Sequence, residues 1–370
     1  MPGYTKSAVD FAGGAGRLAG DRWTPDGPSR GVVLLLHGGG QTRHSWREAG
    51  PTLAEDGWTA IAIDFRGHGD SDRAADGRYR VDAMTEDVLQ VIDAIGEPPV
   101  ITGASLGGLT GLVIAGERRA ALRALVLVDS VPRIERSGTR RIFEFMRSAP
   151  DGFGSLEEAA EAVRAYQPHR VRPVNLDGMR KNVRLAEDGR WHWHWDPKMM
   201  QPPDWAEMDR LAARTRAAAA RVRVPVLLVR GQLSDVVSAE GAADLLATIP
   251  HAKYADVAGT GHMVAGDDNS VFLERVAEFL DSLPSLPESP GERRLHARSS
   301  PPRGAVRDRA VLDRRRARRA ADLPLRRLRP LAAPAEAGVP PLPVPLGRTG
   351  GGIGIWHRLQ LHGQLPAVDP

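Results

Sequence analysis

The 370-residue chain contains no cysteine. Disulfides, thiolate metal sites and cysteine nucleophiles are therefore excluded. Lysine is almost as scarce, confined to Lys6, Lys181, Lys198 and Lys253, so arginine supplies nearly all positive charge. No apolar run approaches the roughly 20 residues of a membrane-spanning helix. The opening M-P-G-Y-T-K-S lacks the apolar stretch of a secretory signal, so a cytoplasmic protein with no membrane partner is expected. Aromatic residues make up only 5%, which makes their one cluster, R-W-H-W-H-W-D-P at 190–197, conspicuous.

The formal charge of +4 is unevenly distributed. Residues 285–370 hold 16 Arg and 7 acidic residues, a net of +9, which leaves −5 for residues 1–284. The basicity thus belongs to an Arg- and Pro-rich tail with a linker composition at its start (P-S-L-P-E-S-P-G). Such a tail is expected to be disordered or poorly packed. It lacks interleaved aromatics and any binding motif, so no nucleic-acid partner is expected of it. Sequence appended to an already closed fold is the favoured reading.

Ahead of the tail, short apolar runs alternate with amphipathic stretches. Val32–Leu36, Thr59–Phe65, Val100–Gly103, Arg123–Asp129, Val224–Gly231 and Lys253–Ala258 read as strands covered on both faces. Lys6–Gly13 and Arg17–Pro25 read as an antiparallel hairpin at the sheet edge. Helical spacing appears at Asp82–Ile95, Leu106–Arg119, Ala239–Thr248 and Val271–Leu283. The expected fold class is α/β, a mostly parallel central sheet with helices on both faces. Residues 132–222 interrupt the alternation with helix-like pieces at Arg140–Arg147, Ser155–Ala165 and Trp205–Ala220. They are expected to form a helical cap between core segments 1–131 and 223–284.

The chemistry begins at G-A-S-L-G, 103–107. Gly-x-Ser-x-Gly between a buried strand and a buried helix makes a sharp turn that lifts the serine hydroxyl clear of the backbone. An ordinary turn with a capping serine is the blander alternative, and the strand-to-helix setting favours Ser105 as a nucleophile. A serine hydroxyl needs a base, and the base needs an orienting carboxylate. His262, in G-T-G-H-M-V, follows the last strand. Asp235, in R-G-Q-L-S-D-V-V, follows the strand before it. Asp129, ending L-V-L-V-D, is a competing acid; Asp235 is preferred because a flexible loop lets it reach the imidazole. All lie at the carboxyl edge, where open α/β sheets place their sites.

Negative charge developing on a carbonyl oxygen needs preorganised donors. The loop L-H-G-G-G-Q, 36–41, can bring backbone N–H groups close to a substrate. Gly39 and Leu106 are assigned as oxyanion donors, with Gly40 and Gln41 as possible additions. No G-K-[ST] or G-x-G-x-x-G follows to suggest a phosphate loop. His37 is read as a brace for the loop. Arg66 and Asp70 are read as braces for the next one. Trp46, Trp191 and Trp193 are candidate pocket residues; the tryptophan cluster either walls the cavity or holds the cap. His192 and His194, with no nearby carboxylate pair, make a poor metal site, so no metal and no cofactor are expected.

L-H-G-G-G-Q-T-R-H-S-W (36–46), D-F-R-G-H-G-D-S-D (64–72), G-A-S-L-G-G (103–108), L-V-L-V-D-S-V-P (125–132), G-Q-L-S-D-V-V (231–237) and G-H-M-V-A-G-D-D-N (261–269) together resemble the α/β-hydrolase superfamily. The resemblance spans about residues 8–283. It is strongest to the branch of small bacterial esterases, cofactor-free haloperoxidase-like enzymes and enol-lactone hydrolases. It implies an oxyanion N–H at Gly39 and a small-molecule ester or lactone substrate opened through an acyl-enzyme, with water as the second reactant. Epoxide hydrolases and haloalkane dehalogenases of that branch carry an aspartate nucleophile, whereas this chain has Ser105. It also has Gly39–Gly40 where many members carry a bulky residue, which implies tolerance of bulky substrates. C–C bond hydrolysis and perhydrolysis would use the same triad. A hydrolase fold kept only for ligand binding would show a broken triad.

Overall fold

The computed structural model describes residues 3–118, 121–166, 176–199, 201–262 and 269–284. All belong to Met1–Leu295, the first of two units into which the chain divides. The tail at 285–370, expected to be poorly packed, lies outside the described residues.

An N-terminal hairpin, β1 (Tyr4–Gly13) and β2 (Gly16–Pro25), pairs antiparallel in continuous register from Tyr4↔Pro25 to Gly13↔Gly16. The core strands follow: β3 (Val32–Leu36), β4 (Thr59–Ile63), β5 (Val100–Ala104) and β6 (Ala124–Val128). Beyond a long insertion come β9 (Val226–Gly231) and β10 (Lys253–Val257). They form one sheet in the order β1-β2-β4-β3-β5-β6-β9-β10, parallel from β4 to β10. β2 joins β4 antiparallel.

Runs such as V-V-L-L-L need no polar alternation because both faces are covered. Leu34, Leu36, Ile61 and Ile63 pack beneath Val88 and Val91 of α2 (Val81–Ile95) and Leu112 of α3 (Leu106–Glu117). Val33, Leu35, Ala60 and Ala62 face the other way. There they meet Leu53 of α1 (Ala49–Glu55) and Phe272, Val276 and Phe279 of α9 (Asn269–Asp281). This two-period division places alternate residues of each strand in different cores. Helix α8 (Ala239–Thr248) adds Leu245 to the first.

The insertion between β6 and β9 carries α4 (Arg136–Met146), α5 (Leu156–Tyr166), α6 (Leu176–Met179), a small antiparallel pair β7 (Val183–Leu185) and β8 (Trp191–Trp193), and α7 (Trp205–Ala219). Met146, Phe153, Met179, Val183, Trp193 and Trp195 give it a small core of its own. Helix α7 behaves differently. A Cβ built on Gly116 of α3 would lie 2.2 Å from the Ala218 carbonyl oxygen, and Ala219 and Val222 join the main core. By packing, α7 is a crossover helix on the sheet even though it falls inside the expected cap segment. Among the described residues, no helix is long and apolar enough to cross a membrane.

Because the core strands are parallel, the loops after β3, β5, β6, β9 and β10 leave the sheet at one edge. Those loops hold residues 37–41, Ser105, Asp129, 232–237 and 258–262.

Candidate active site

The turn after β5 is shaped by close backbone approach. A Cβ on Gly103 would meet the Gly107 carbonyl carbon and oxygen at 2.4 Å, and one on Gly107 would meet the Leu36 carbonyl oxygen at 2.4 Å. Only glycine fits either position. Between them Ser105 is held at φ 46 and ψ −111, outside the ordinary regions for an L-residue. Such strain persists only where the surroundings enforce it. Here the Ser105 N–H donates to Val128 O (3.0 Å), while its carbonyl accepts from Leu109 N–H (2.9 Å) and Ser130 Oγ (2.8 Å). Gly107→Ala is expected to cost about 3 kcal/mol or more, because the clash is with backbone. Urea unfolding of the purified variant measures it, and wild-type stability would show that the turn has slack.

The acid at the imidazole differs from the sequence expectation. His262 Nδ1 lies 2.6 Å from Asp129 Oδ2, and the Asp129 side chain is fully buried. Asp235 is elsewhere: its Oδ2 pairs with Arg141 Nη1 of α4 at 3.0 Å, and its side chain is 39% exposed. The backbone explains the correction. The turn after β9 closes early, with Ser234 N–H bonded to Gly231 O at 3.0 Å, so Ser234 faces inward. Asp129 stands at φ 46, a positive value rarely seen for a non-glycine residue, which turns its carboxylate toward β9. An ionised carboxylate only accepts, so Nδ1 of His262 carries the shared proton and Nε2 is left as the basic nitrogen.

Ser105, Asp129 and His262 all line one cavity of about 560 Å³, together with Gly39 and Leu106. The N–H groups of Gly39 and Leu106 have no hydrogen-bond partner among the described residues, and a Cβ on Gly39 would lie 4.0 Å from Leu106 Cδ2. The other two suggested donors are already committed. Gly40 N–H donates to His68 Nε2 (3.3 Å) and Gln41 N–H to Gly38 O (3.1 Å). Gln41 serves the loop in another way, with its Oε1 accepting from Gly38 N–H at 2.9 Å.

Beneath this loop lie three buried imidazoles. His37 Nδ1 donates to Gly38 O (2.7 Å) while Nε2 accepts from Phe65 N–H (3.0 Å). His68 packs on His37 with ring centroids 4.8 Å apart, and His194 packs on His68 at 5.9 Å. His194 belongs to the insertion, and its Nδ1 accepts from Gly69 N–H at 2.8 Å. Burial pushes His37 down to about 4 and His68 to about 3, and burial with its imidazole neighbours lowers His194 as well. All three are neutral braces near pH 7, as expected for His37; the parts played by His68 and His194 had no signal in the sequence. Arg66 and Asp70 also brace. Arg66 forks onto Asp87, two contacts of 2.6 Å, and Asp70 meets Arg43 and Arg184, each at 2.8 Å.

The tryptophans divide. Trp193 lines the cavity and stacks on Trp195, 4.7 Å between centroids and 15° between planes. Trp46 and Trp191 do not line it. Trp46 is fully buried against Phe272, and Trp191 pairs with Phe153 and lies under the Arg180 guanidinium. Apolar strand-edge and loop tryptophans look alike in sequence, and only the fold decides which side each faces.

A family model described as the α/β-hydrolase fold matches residues 31–268. The chain belongs to the α/β-hydrolase fold family. Within that family it is 29% identical over 282 residues to esterase Rv0045c of Mycobacterium tuberculosis, covering 72% of this chain and 88% of that protein. It is 26% identical over 260 residues to the 3-hydroxybutyrate-oligomer hydrolase of Cupriavidus necator, covering 67% and 88%. A solved structure of the M. tuberculosis esterase superposes with a TM-score of 0.60 at 26% identity, over 76% of this chain and 93% of that one. The α/β-hydrolase fold and esterase-named relatives make this chain a hydrolase.

Proposed function

We propose that this α/β-hydrolase cleaves carboxylic esters or lactones through an acyl-enzyme formed on Ser105. The observation that carries the reading is the 2.6 Å contact of His262 Nδ1 with buried Asp129, in the cavity that Ser105 also lines. His262 Nε2 takes the hydroxyl proton as Ser105 Oγ attacks the carbonyl carbon, and Asp129 stabilises the resulting imidazolium. The oxyanion is held by the N–H groups of Gly39 and Leu106, Leu106 sitting at the positive N-terminus of α3. The leaving alkoxide receives the proton from His262. Water, deprotonated by the same nitrogen, then attacks the acyl carbonyl and releases Ser105 with the carboxylic acid.

Esterase-named relatives support ester chemistry, and walls such as Leu109, Ile142, Met146 and Trp193 support a substrate with a sizeable apolar group. C–C hydrolysis and perhydrolysis would run on the same residues, and turnover compared on an unactivated alkyl ester, on a 1,3-diketone and with hydrogen peroxide in place of water separates ester cleavage from them. A fluorophosphonate probe is expected to add once, on the peptide that contains Ser105, and to stop turnover in step with labelling. Full labelling elsewhere, or turnover that survives complete labelling of Ser105, would overturn the proposal.

A further inference from the structure

The turn after β9, singled out in the sequence as the source of the acid, does something else in the fold. Gly231 N–H donates to Asp129 Oδ1 at 3.0 Å, and Ser234 Oγ lies 2.5 Å from Asp129 Oδ2, the same oxygen that meets His262. Ser234 Oγ also accepts from Val236 N–H (3.3 Å) and Val237 N–H (3.0 Å). A hydroxyl has two acceptor sites and one hydrogen. With both acceptor sites turned toward backbone amides, the hydrogen is left to point at Asp129. The carboxylate therefore takes three donors and cannot rotate without breaking two of them.

The same turn is stitched to the loop that carries the base. Gln232 N–H donates to Val257 O (3.0 Å) and Leu233 N–H to Thr260 O (2.8 Å), while a Cβ on Gly231 would lie 2.2 Å from the Gly261 carbonyl oxygen. Gly231 thus lets the His262 loop settle directly against the strand end. Residues 231–237 touch the acid on one side and the backbone leading to the base on the other.

We infer that Ser234 is a positioning residue of the catalytic relay, aiming the Asp129 carboxylate at His262 through a hydroxyl whose direction is fixed by Val236 and Val237. The inference rests on the serine-hydrolase reading above. A donor shared on Oδ2 draws charge away from the His262 contact and fixes its angle, so losing it changes that proton's environment. Two measurements separate this role from simple support of the turn.

Ser234→Ala is expected to lower kcat about tenfold with KM nearly unchanged, the scale of one hydrogen bond to a charged group. Ser234→Thr, which keeps the hydroxyl, is expected to restore most of the loss, and Ser234→Cys, a weaker donor, to fall between. In an Asp129→Asn background the further substitution Ser234→Ala is expected to cost less than twofold, because the group it acts through is already gone. The second readout is independent of turnover. In protein with 15N-labelled histidine, the downfield imidazole Nδ1–H resonance of His262 is expected to move in Ser234→Ala and return in Ser234→Thr. An unmoved resonance, or a tenfold loss that persists in the Asp129→Asn background, overturns the inference. If Ser234→Ala does not fold, Ser234→Cys carries the same test. The outcomes for the two readings differ: wild-type kcat in Asp129→Asn sinks the triad itself, whereas a crippled Asp129→Asn beside an unaffected Ser234→Ala sinks only the role of Ser234.

Discussion

Asp129→Asn is expected to lower kcat about 10,000-fold on an activated aryl ester, while Asp235→Asn stays within about twofold of wild type. The asymmetry follows from the hydrogen-bond donors around each carboxylate. At position 129 an asparagine would keep its carbonyl oxygen on the Gly231 N–H, which requires an acceptor, and put its NH2 at the place of Oδ2, which the Ser234 hydroxyl and His262 Nδ1 share. Its NH2 would then face His262 Nδ1, so that this nitrogen must accept and the proton must sit on Nε2. An imidazole in that tautomer cannot take the Ser105 proton, and no buried negative charge remains to stabilise an imidazolium. Asp235 has no such duty. It forms a half-exposed ion pair with Arg141, the kind of contact that contributes between nothing and about 1 kcal/mol. Initial rates at saturating substrate decide the matter. A reversal, with Asp235→Asn the crippled variant, would require the 231–237 turn to rearrange during turnover.

The parallel sheet and its covering helices were legible because the signals are long and redundant. Apolar runs such as Val32–Leu36 and Thr59–Ile63 need two covered faces, and glycine-flanked Ser105 needs a strand before it and a helix after it. Observed boundaries shift by only a few residues, as in α2, which begins at Val81 where spacing placed it at Asp82. Short α1, with glycine and proline in A-G-P-T-L-A-E, carries too little periodicity to read and forms because Leu53 and Ala54 find the sheet. The acid was misread for a different reason. Asp129 and Asp235 both follow strands that end at the same edge, and sequence order cannot say which side chain a tight turn points inward. That depended on a positive φ at Asp129 and on the Ser234 N–H to Gly231 O contact, neither of which leaves a compositional trace. The same limit hid His68 and His194, whose partners are backbone amides far away in the chain.

Removing the nucleophile should have the largest effect of all, and the strained turn gives that loss a second signature. Ser105→Ala and Ser105→Gly are both expected to reduce kcat by about a millionfold, leaving only the residual rate that a bound substrate gains from the oxyanion donors. In stability the two are expected to part. Alanine keeps the Cβ that makes φ 46, ψ −111 unfavourable, so Ser105→Ala retains the strain. Glycine relieves it, a gain of about 1–3 kcal/mol, against about 0.5–1 kcal/mol for the freer unfolded chain. Ser105→Gly is therefore expected to melt above Ser105→Ala, by several degrees if the larger strain figure applies. Differential scanning calorimetry of the two inactive variants measures the difference directly. An inactive pair with equal melting temperatures would mean that the strain at Ser105 is no larger than the about 0.5–1 kcal/mol that glycine costs through the unfolded chain. A pair that still hydrolyses esters at the wild-type rate would mean that the attacking oxygen belongs to something other than Ser105.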